Sequence, residues 1–143
     1  MTIAAILRGK GAGVHTLTRS QTILDAAREL TDRKVGALVV LDDAGAPCGI
    51  LSERDIVRLV AERGDAGLTQ KVQDVMTRSV QFAALEETVD AALERMTDRR
   101  IRHLPVLSGG KLAGVVSIGD LVKKKIDDAL AEADAVREFF TAQ

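Results

Sequence analysis

The segment Gly49-Ile50-Leu51-Ser52-Glu53-Arg54-Asp55-Ile56-Val57 returns later in the chain as Gly114-Val115-Val116-Ser117-Ile118-Gly119-Asp120-Leu121-Val122. Each copy is an apolar run that ends in a serine and reaches an aspartate three residues on. A duplicated segment constrains architecture before any local motif does, because each copy must fill an equivalent place in an equivalent folding unit. The chain therefore carries two hydroxyl–carboxylate pairs at matching points of two matching units.

The correspondence extends upstream. Thr22-Ile23 and Thr88-Val89, 66 positions apart, each open a helical pattern. Ile23, Ala26, Ala27 and Leu30 fall on one face of the first, and Val89, Ala92, Leu93 and Met96 on one face of the second. Thr22 and Thr88 are candidate helix starts, with Ser20 and Glu86 as alternative caps. Both helices run into Thr-Asp-basic-basic, at 31–34 and 97–100, where cations complement the helix dipole. Strands are expected over 35–41 and 101–107. Hairpin turns follow at Asp42-Asp43-Ala44-Gly45 and Ser108-Gly109-Gly110-Lys111, with return strands over 47–51 and 112–116. The first hairpin is one residue longer, so the offset falls to 65. Ser52 and Ser117 then stand at strand-to-helix junctions, where they can cap helices that begin near Glu53 and Ile118. Short lead-in strands are expected at 14–17 and 80–83, and short lead-in helices at 3–7 and 72–76.

Each unit thus reads β–α–β–β–α. Three strands and two helices cannot cover both faces of a sheet, so the halves are expected to pack together about a pseudo-twofold axis, in an α/β (α+β) fold. The expected division is residues 1–66 for the first repeat with its lead-in, 67–125 for the second, and 126–143 for a C-terminal helical extension. Residues 63–69, with two glycines, read as the linker. The last helix is expected to run from about 118 to 139. Ile126, Leu130, Ala133 and Arg137 trace a partly apolar face on it and Phe139-Phe140 close it, which reads either as a partner surface or as a face that packs back on its own domain.

Bulk properties narrow the class. At 143 residues, with 46% apolar and 29% charged, the chain can build a core and a soluble surface. Twenty basic against 21 acidic residues leave a formal charge of −1, so there is no global electrostatic case for nucleic acid or an anionic membrane. With no Trp, no Tyr and three Phe, it lacks the aromatic surface of a base-stacking single-strand binder. Cys48 is the only cysteine, which excludes an internal disulfide and favours a cytoplasmic setting. No apolar stretch approaches the roughly 20 residues of a membrane span, and residues 1–13 lack the long apolar core of a signal peptide.

Ile101-Arg102-His103-Leu104-Pro105-Val106, Gly109-Gly110-Lys111-Leu112 and Gly114 to Asp120, with Val35-Gly36-Ala37-Leu38-Val39-Val40 and Gly49 to Asp55 as counterparts, resemble the cystathionine-β-synthase (CBS) domain. The tandem looks like a Bateman module over about Ile3 to Lys125, and is most similar to stand-alone bacterial two-repeat proteins. The resemblance implies a non-enzymatic sensor of adenosine ligands such as AMP, ADP, ATP, NAD(H) or S-adenosyl compounds, bound between the repeats. AMP or NAD(H) is the expected ligand. A homodimer that signals to a protein effector is also implied. The alternative is a protein-interaction module with no physiological nucleotide.

An adenosine ligand needs an apolar slot for the base, acceptors for the ribose hydroxyls and donors for phosphate. Asp55 or Asp120 can accept both ribose hydroxyls. Ser52 or Ser117 can bond ribose or phosphate at a helix N-terminus. Ile50 and Val115 can wall the base. The same Ser/Asp pairs also read as helix caps with first-turn carboxylates. By the family's pattern, one cleft joins Ile50, Ser52, Arg54 and Asp55 to Val80, Arg102, His103 and Pro105. The other joins Val115, Ser117, Gly119 and Asp120 to Val14, Gly36 and Ala37. Arg54, Arg102 and His103 equip the first for phosphate, and an arginine fork suits that geometry. The second lacks these groups, and Val39 stands where the family often has proline. Only Arg8 or Lys10 from the N-terminal segment could make good the deficit.

Other motifs fall away. Gly9-Lys10-Gly11-Ala12-Gly13 follows no strand and fits neither G-x-G-x-x-G nor the Walker A spacing, so it reads as a loop. Ser117 is off register for a nucleophile elbow. His15, His103 and Cys48 are too scattered for a zinc site. The runs at 99–102 and 123–125 read as helix ends and solvated faces.

Overall fold

A computed structural model of the chain describes residues 1–10 and 14–141; Gly11, Ala12 and Gly13 of the glycine-rich stretch lie outside the described residues. The first unit consists of β1 (Thr16–Thr18), α2 (Ile23–Arg33), β2 (Ala37–Leu41), β3 (Pro47–Ser52) and α3 (Glu53–Arg63), after a lead-in helix α1 (Ile3–Lys10). A 3-10 turn (Gly64–Thr69) leads to the second unit. That unit comprises α4 (Val72–Val75), β4 (Ala83–Ala84), α5 (Val89–Arg99), β5 (His103–Ser108), β6 (Lys111–Ser117) and α6 (Ile118–Thr141). Each unit has a three-stranded sheet, ordered β1-β2-β3 or β4-β5-β6, with the first pair parallel and the second antiparallel. The fold is the expected α+β duplication. The lead-in strands are shorter than expected and start later, at Thr16 and Ala83.

Local chemistry repeats as well as topology. Thr22 and Thr88, rather than Ser20 or Glu86, cap α2 and α5: their hydroxyls accept from the backbone N–H of Asp25 and Ala91 at 3.1 Å. Both helices end on a basic residue in the left-handed region, Lys34 (φ 56°) and Arg100 (φ 54°). There the cap N–H closes the last turn onto carbonyls of the helix. The first N–H of each motif helix bonds the residue before the opposite strand: Glu53 to the Gly36 carbonyl at 2.9 Å, Ile118 to the Arg102 carbonyl at 2.8 Å.

The cores do not follow chain order. Leu17, Ile23, Leu30, Leu38, Val40 and Leu51 form one core together with Val72 of α4. Ala83, Val89, Met96, Leu104, Val106, Val116 and Leu121 form the other together with Ile3 and Ile6 of α1. Each lead-in helix is therefore exchanged onto the opposite unit. Ile3 N–H and Ala4 N–H donate to the carbonyls of Glu87 and Leu85 at 2.9 and 3.0 Å, while Ile23 N–H donates to Gln70 and Val72 N–H to Gln21. This exchange explains the glycine that opens each copy of the duplicated segment. A Cβ on Gly49 would collide with the Met76 side chain, and one on Gly114 would lie 2.8 Å from Leu7 Cδ2. Glycine lets the exchanged segment approach closely at both points, most tightly at Gly49, where a Cβ would also lie 3.0 Å from the Thr77 carbonyl oxygen. The two units thus share structure on either side of the clefts between them.

Candidate functional site: two unequal clefts

Ser52 ends β3 and caps α3. Asp55 N–H donates to Ser52 Oγ at 3.3 Å, and Ser52 N–H donates to Asp55 Oδ2 at 2.9 Å. The hydroxyl also reaches Oδ2, at 3.1 Å. This reciprocal pairing is a capping box. The cap and ligand readings of the Ser/Asp pair therefore coexist. The cap fixes the carboxylate and engages Oδ2, while Arg58 Nη1 lies 3.9 Å from Oδ1 and Asp55 lines the cleft.

The cleft beside it has a volume of about 320 Å³, near the lower end for small-molecule sites. Gly36, Ala37, Ile50, Ser52, Glu53, Arg54, Asp55 and Arg58 line it from the first unit, and Thr77, Ser79, Arg100, Ile101, Arg102 and His103 from the second. Ile50 and Thr77 join the two sides through paired backbone bonds of 3.0 and 2.9 Å. Four arginines against the carboxylates of Glu53 and Asp55 make the cleft suited to an anion. Ile50, Ala37 and Ile101 give it an apolar floor.

Most of the residues expected together are brought together: Ile50, Ser52, Arg54, Asp55, Arg102 and His103 share this cleft. Val80 and Pro105 are not on its wall. Pairing at Thr77 presents Thr77 and Ser79 instead, and Pro105 is buried within β5 opposite Val115. Gly36 and Ala37, expected opposite Asp120, line this cleft too, because the start of β2 abuts the start of β5. A Cβ on Gly36 would lie 2.8 Å from Glu53 Oε1 and 3.2 Å from His103 Nε2. Sequence reasoning missed Arg58, Arg100, Thr77 and Ser79. Arg58 stands one helical turn after Asp55, a legible signal. Thr77 and Ser79 depend on the lead-in exchange, which no spacing announces.

His103 is half-buried, and that burial, with Arg102 and Lys10 nearby, holds its imidazole below the usual value of 6.5, against the opposing pull of Glu53 and Asp120. It is therefore neutral at pH 7.

At the second motif, where another cleft was expected, the same capping pair forms: Ser117 N–H donates to Asp120 Oδ2 at 2.8 Å and Asp120 N–H to Ser117 Oγ at 3.1 Å. Val115 is half-buried, Gly119 is exposed and Val14 is half-buried just after the undescribed residues. The capping oxygen of that carboxylate also carries an ion pair. Lys10, at the end of α1, donates to Asp120 Oδ2 at 2.8 Å and to the Val115 carbonyl at 3.0 Å. Burial pushes the Asp120 carboxyl up, but the bonds from Lys10 and Ser117 outweigh it and hold the group below its usual value.

Two matching α+β units with a ligand-sized, cation-lined cleft between them define a tandem-repeat binding module. The CBS domain family model matches residues 12–62 and 72–127, and the chain belongs to the CBS-domain family. The mitochondrial CBS domain-containing protein CBSX3 of Arabidopsis thaliana is 33% identical over 146 residues, spanning 96% of this chain and 71% of the relative. The crystal structure of a CBS-domain containing protein from Agrobacterium tumefaciens is 42% identical, with a TM-score of 0.83 over 87% of this chain and 92% of that one. A CBS domain protein from Pyrobaculum aerophilum, solved complexed with AMP, is 32% identical with a TM-score of 0.75, over 84% of this chain and 89% of that one. Among the described residues, no helix is long and apolar enough to cross a membrane.

Proposed function

We propose that this chain is a regulatory module that binds an adenine nucleotide, AMP or NAD(H), in the cleft of Asp55, and relays occupancy to a protein partner as a homodimer. The observation that carries this is the pairing of a pre-positioned carboxylate with an arginine cluster across one cleft. Asp55 is locked by its capping box and supplies a ribose acceptor. Arg54, Arg58, Arg100 and Arg102 converge on the same space and supply phosphate donors. Ile50 and Ile101 flank the base. AMP in the Pyrobaculum relative supports the ligand class. The groups on this wall bind and orient, so a ligand acts by favouring one shape of the module over another. Such a role needs no chemical step and suits a setting in the cytoplasm.

The test is titration calorimetry with AMP, NAD+, NADH, ATP and adenosine. Saturable binding of a phosphate-bearing ligand, lost in Asp55→Ala, is the expected result. No heat and no shift in melting temperature across the panel at millimolar ligand would return the chain to the interaction-module reading.

A further inference from the structure

The outer half of α6 packs on nothing among the described residues. From Ala129 to Thr141 every residue is exposed, a projection of about 20 Å at 1.5 Å per residue. A lone helix of that length is marginal in water. Its inward side is fixed near its start, where Leu121 is fully buried and Asp128 is half-buried. The outward side is patterned. Val122, Ile126, Ala129, Ala133, Val136 and Phe140 recur at intervals of 4, 3, 4, 3 and 4, the spacing of a heptad seam. All six are exposed, Ile126 by 53%, Val136 by 51% and Phe140 by 69%.

We infer that this seam pairs with the same seam of a second copy, as a short parallel two-stranded coiled coil. Charge selects both the partner and the direction. Ile126, Ala133 and Phe140 take the a positions, which places Glu132 at g and Arg137 at the following e. In a parallel pair, Glu132 of each copy meets Arg137 of the other, giving two ion pairs. In an antiparallel pair centred on residue 131, Glu132 would face Glu132 and Lys123 would approach Arg137, both repulsive. Neither Glu132 nor Arg137 forms an ion pair within the described residues, so both are free to do so. This deepens the homodimer of the reading above and rests on it; nucleotide binding is independent of it.

Sedimentation equilibrium of the full chain tests the pairing. The wild type is expected to dimerise, and Ile126→Asp and Val136→Asp each to weaken the dimer at least tenfold while leaving AMP binding intact. Glu132→Arg should weaken it several-fold, and Glu132→Arg with Arg137→Glu should restore it. In a Cys48→Ser background, Ala133→Cys should form an intermolecular disulfide with its own copy. A monomeric wild type would overturn both the homodimer and the coiled coil. A dimer that survives Ile126→Asp but not Val57→Asp would overturn the coiled coil alone. Cross-linking of Ala133→Cys to Ala129→Cys in preference to itself would overturn the parallel direction.

Discussion

The two Ser/Asp motifs share a cap and a carboxylate, yet different cations surround them. Beside Asp55 the cations come from both sides of the cleft, Arg54 and Arg58 from α3 and Arg100 and Arg102 from the second unit, with Arg58 Nη1 3.9 Å from Oδ1. Beside Asp120 a single cation, Lys10, sits on the carboxylate itself and also satisfies the Val115 carbonyl. The lesson is that duplication conserves the scaffold while the exchanged lead-in decides what the scaffold can accept. Arg102 and His103 face the Asp55 cleft together with their counterparts by chain offset, Gly36 and Ala37, which were expected opposite Asp120.

The sharpest way to break this comparison is to remove the aspartates in turn. Asp55→Ala should lower AMP affinity about 100-fold, since it deletes the ribose acceptor and loosens the helix start. Part of that loss is structural, because deleting one half of a cap costs about 1 kcal/mol of stability. Asp55→Asn keeps the shape and isolates the charge; about a tenfold loss is expected. Asp120→Asn should leave AMP affinity nearly unchanged. Calorimetry on all three decides it, and equal losses from Asp55→Asn and Asp120→Asn would show that the clefts are equivalent.

Next in size is the phosphate side. Arg102→Ala should weaken AMP roughly tenfold and adenosine hardly at all, because a charge-assisted hydrogen bond contributes about 1.5–3 kcal/mol. Loss of both ligands together would assign Arg102 to shaping the cleft. The same comparison with Arg100→Ala ranks the two arginines.

A smaller effect is expected from Lys10→Ala. The Lys10–Asp120 pair is partly exposed, with side-chain exposures of 43% and 25%, so it adds little to stability. Its removal instead frees Asp120. The expected readout is a second, weaker adenosine-binding event alongside the first, together with an upward move of the Asp120 carboxyl in NMR titration. The sign follows from the pair. The depressed carboxyl contributes stability above its unfolded value that is lost as pH falls through the folded one, and Lys10→Ala should shrink that acid-side loss. An unchanged Asp120 titration would mean that Lys10 does not hold it.

These contrasts also show how much of the molecule could be read from its letters. The helices, the hairpins and the Ser/Asp junctions follow from short-range periodicity and capping: α2 and α5 start after Thr22 and Thr88, and α3 and α6 begin at Glu53 and Ile118, as expected. The exchange of α1 and α4 was not legible, because Ile3 and Val72 advertise only that they are apolar and not which core they enter. That one tertiary fact moves Thr77 and Ser79 into one cleft and Lys10 into the other. Lys10, a candidate phosphate donor by charge deficit, bonds Asp120 Oδ2 and the Val115 carbonyl. The stripe expected on the last helix, Ile126, Leu130, Ala133 and Arg137, is exposed throughout, and Ile126 and Ala133 also lie on the proposed seam. Only the inward pointing of Leu121 fixes the rotation.

The smallest expected effect concerns pH, and it tests whether His103 belongs to the phosphate side. Burial holds its imidazole below 6.5, and the charged groups that act on it are Glu53, Asp120, Lys10 and Arg102. In the free protein the neutral form therefore contributes stability above the unfolded value, lost as pH falls toward the folded one. A bound phosphate adds a negative charge beside the ring and raises that value, so binding takes up a proton. Affinity for AMP should rise by about threefold from pH 8 to 6.5, less than the tenfold that one pKa unit allows. The phosphate's own second ionisation, near 6, works the other way, because the ligand loses charge as the pH drops. His103→Gln removes the first effect and keeps the second, so its affinity should stay flat or fall over the same range. Parallel pH profiles for wild type and His103→Gln would place the ring outside the phosphate's reach and leave the arginines alone to distinguish the two clefts.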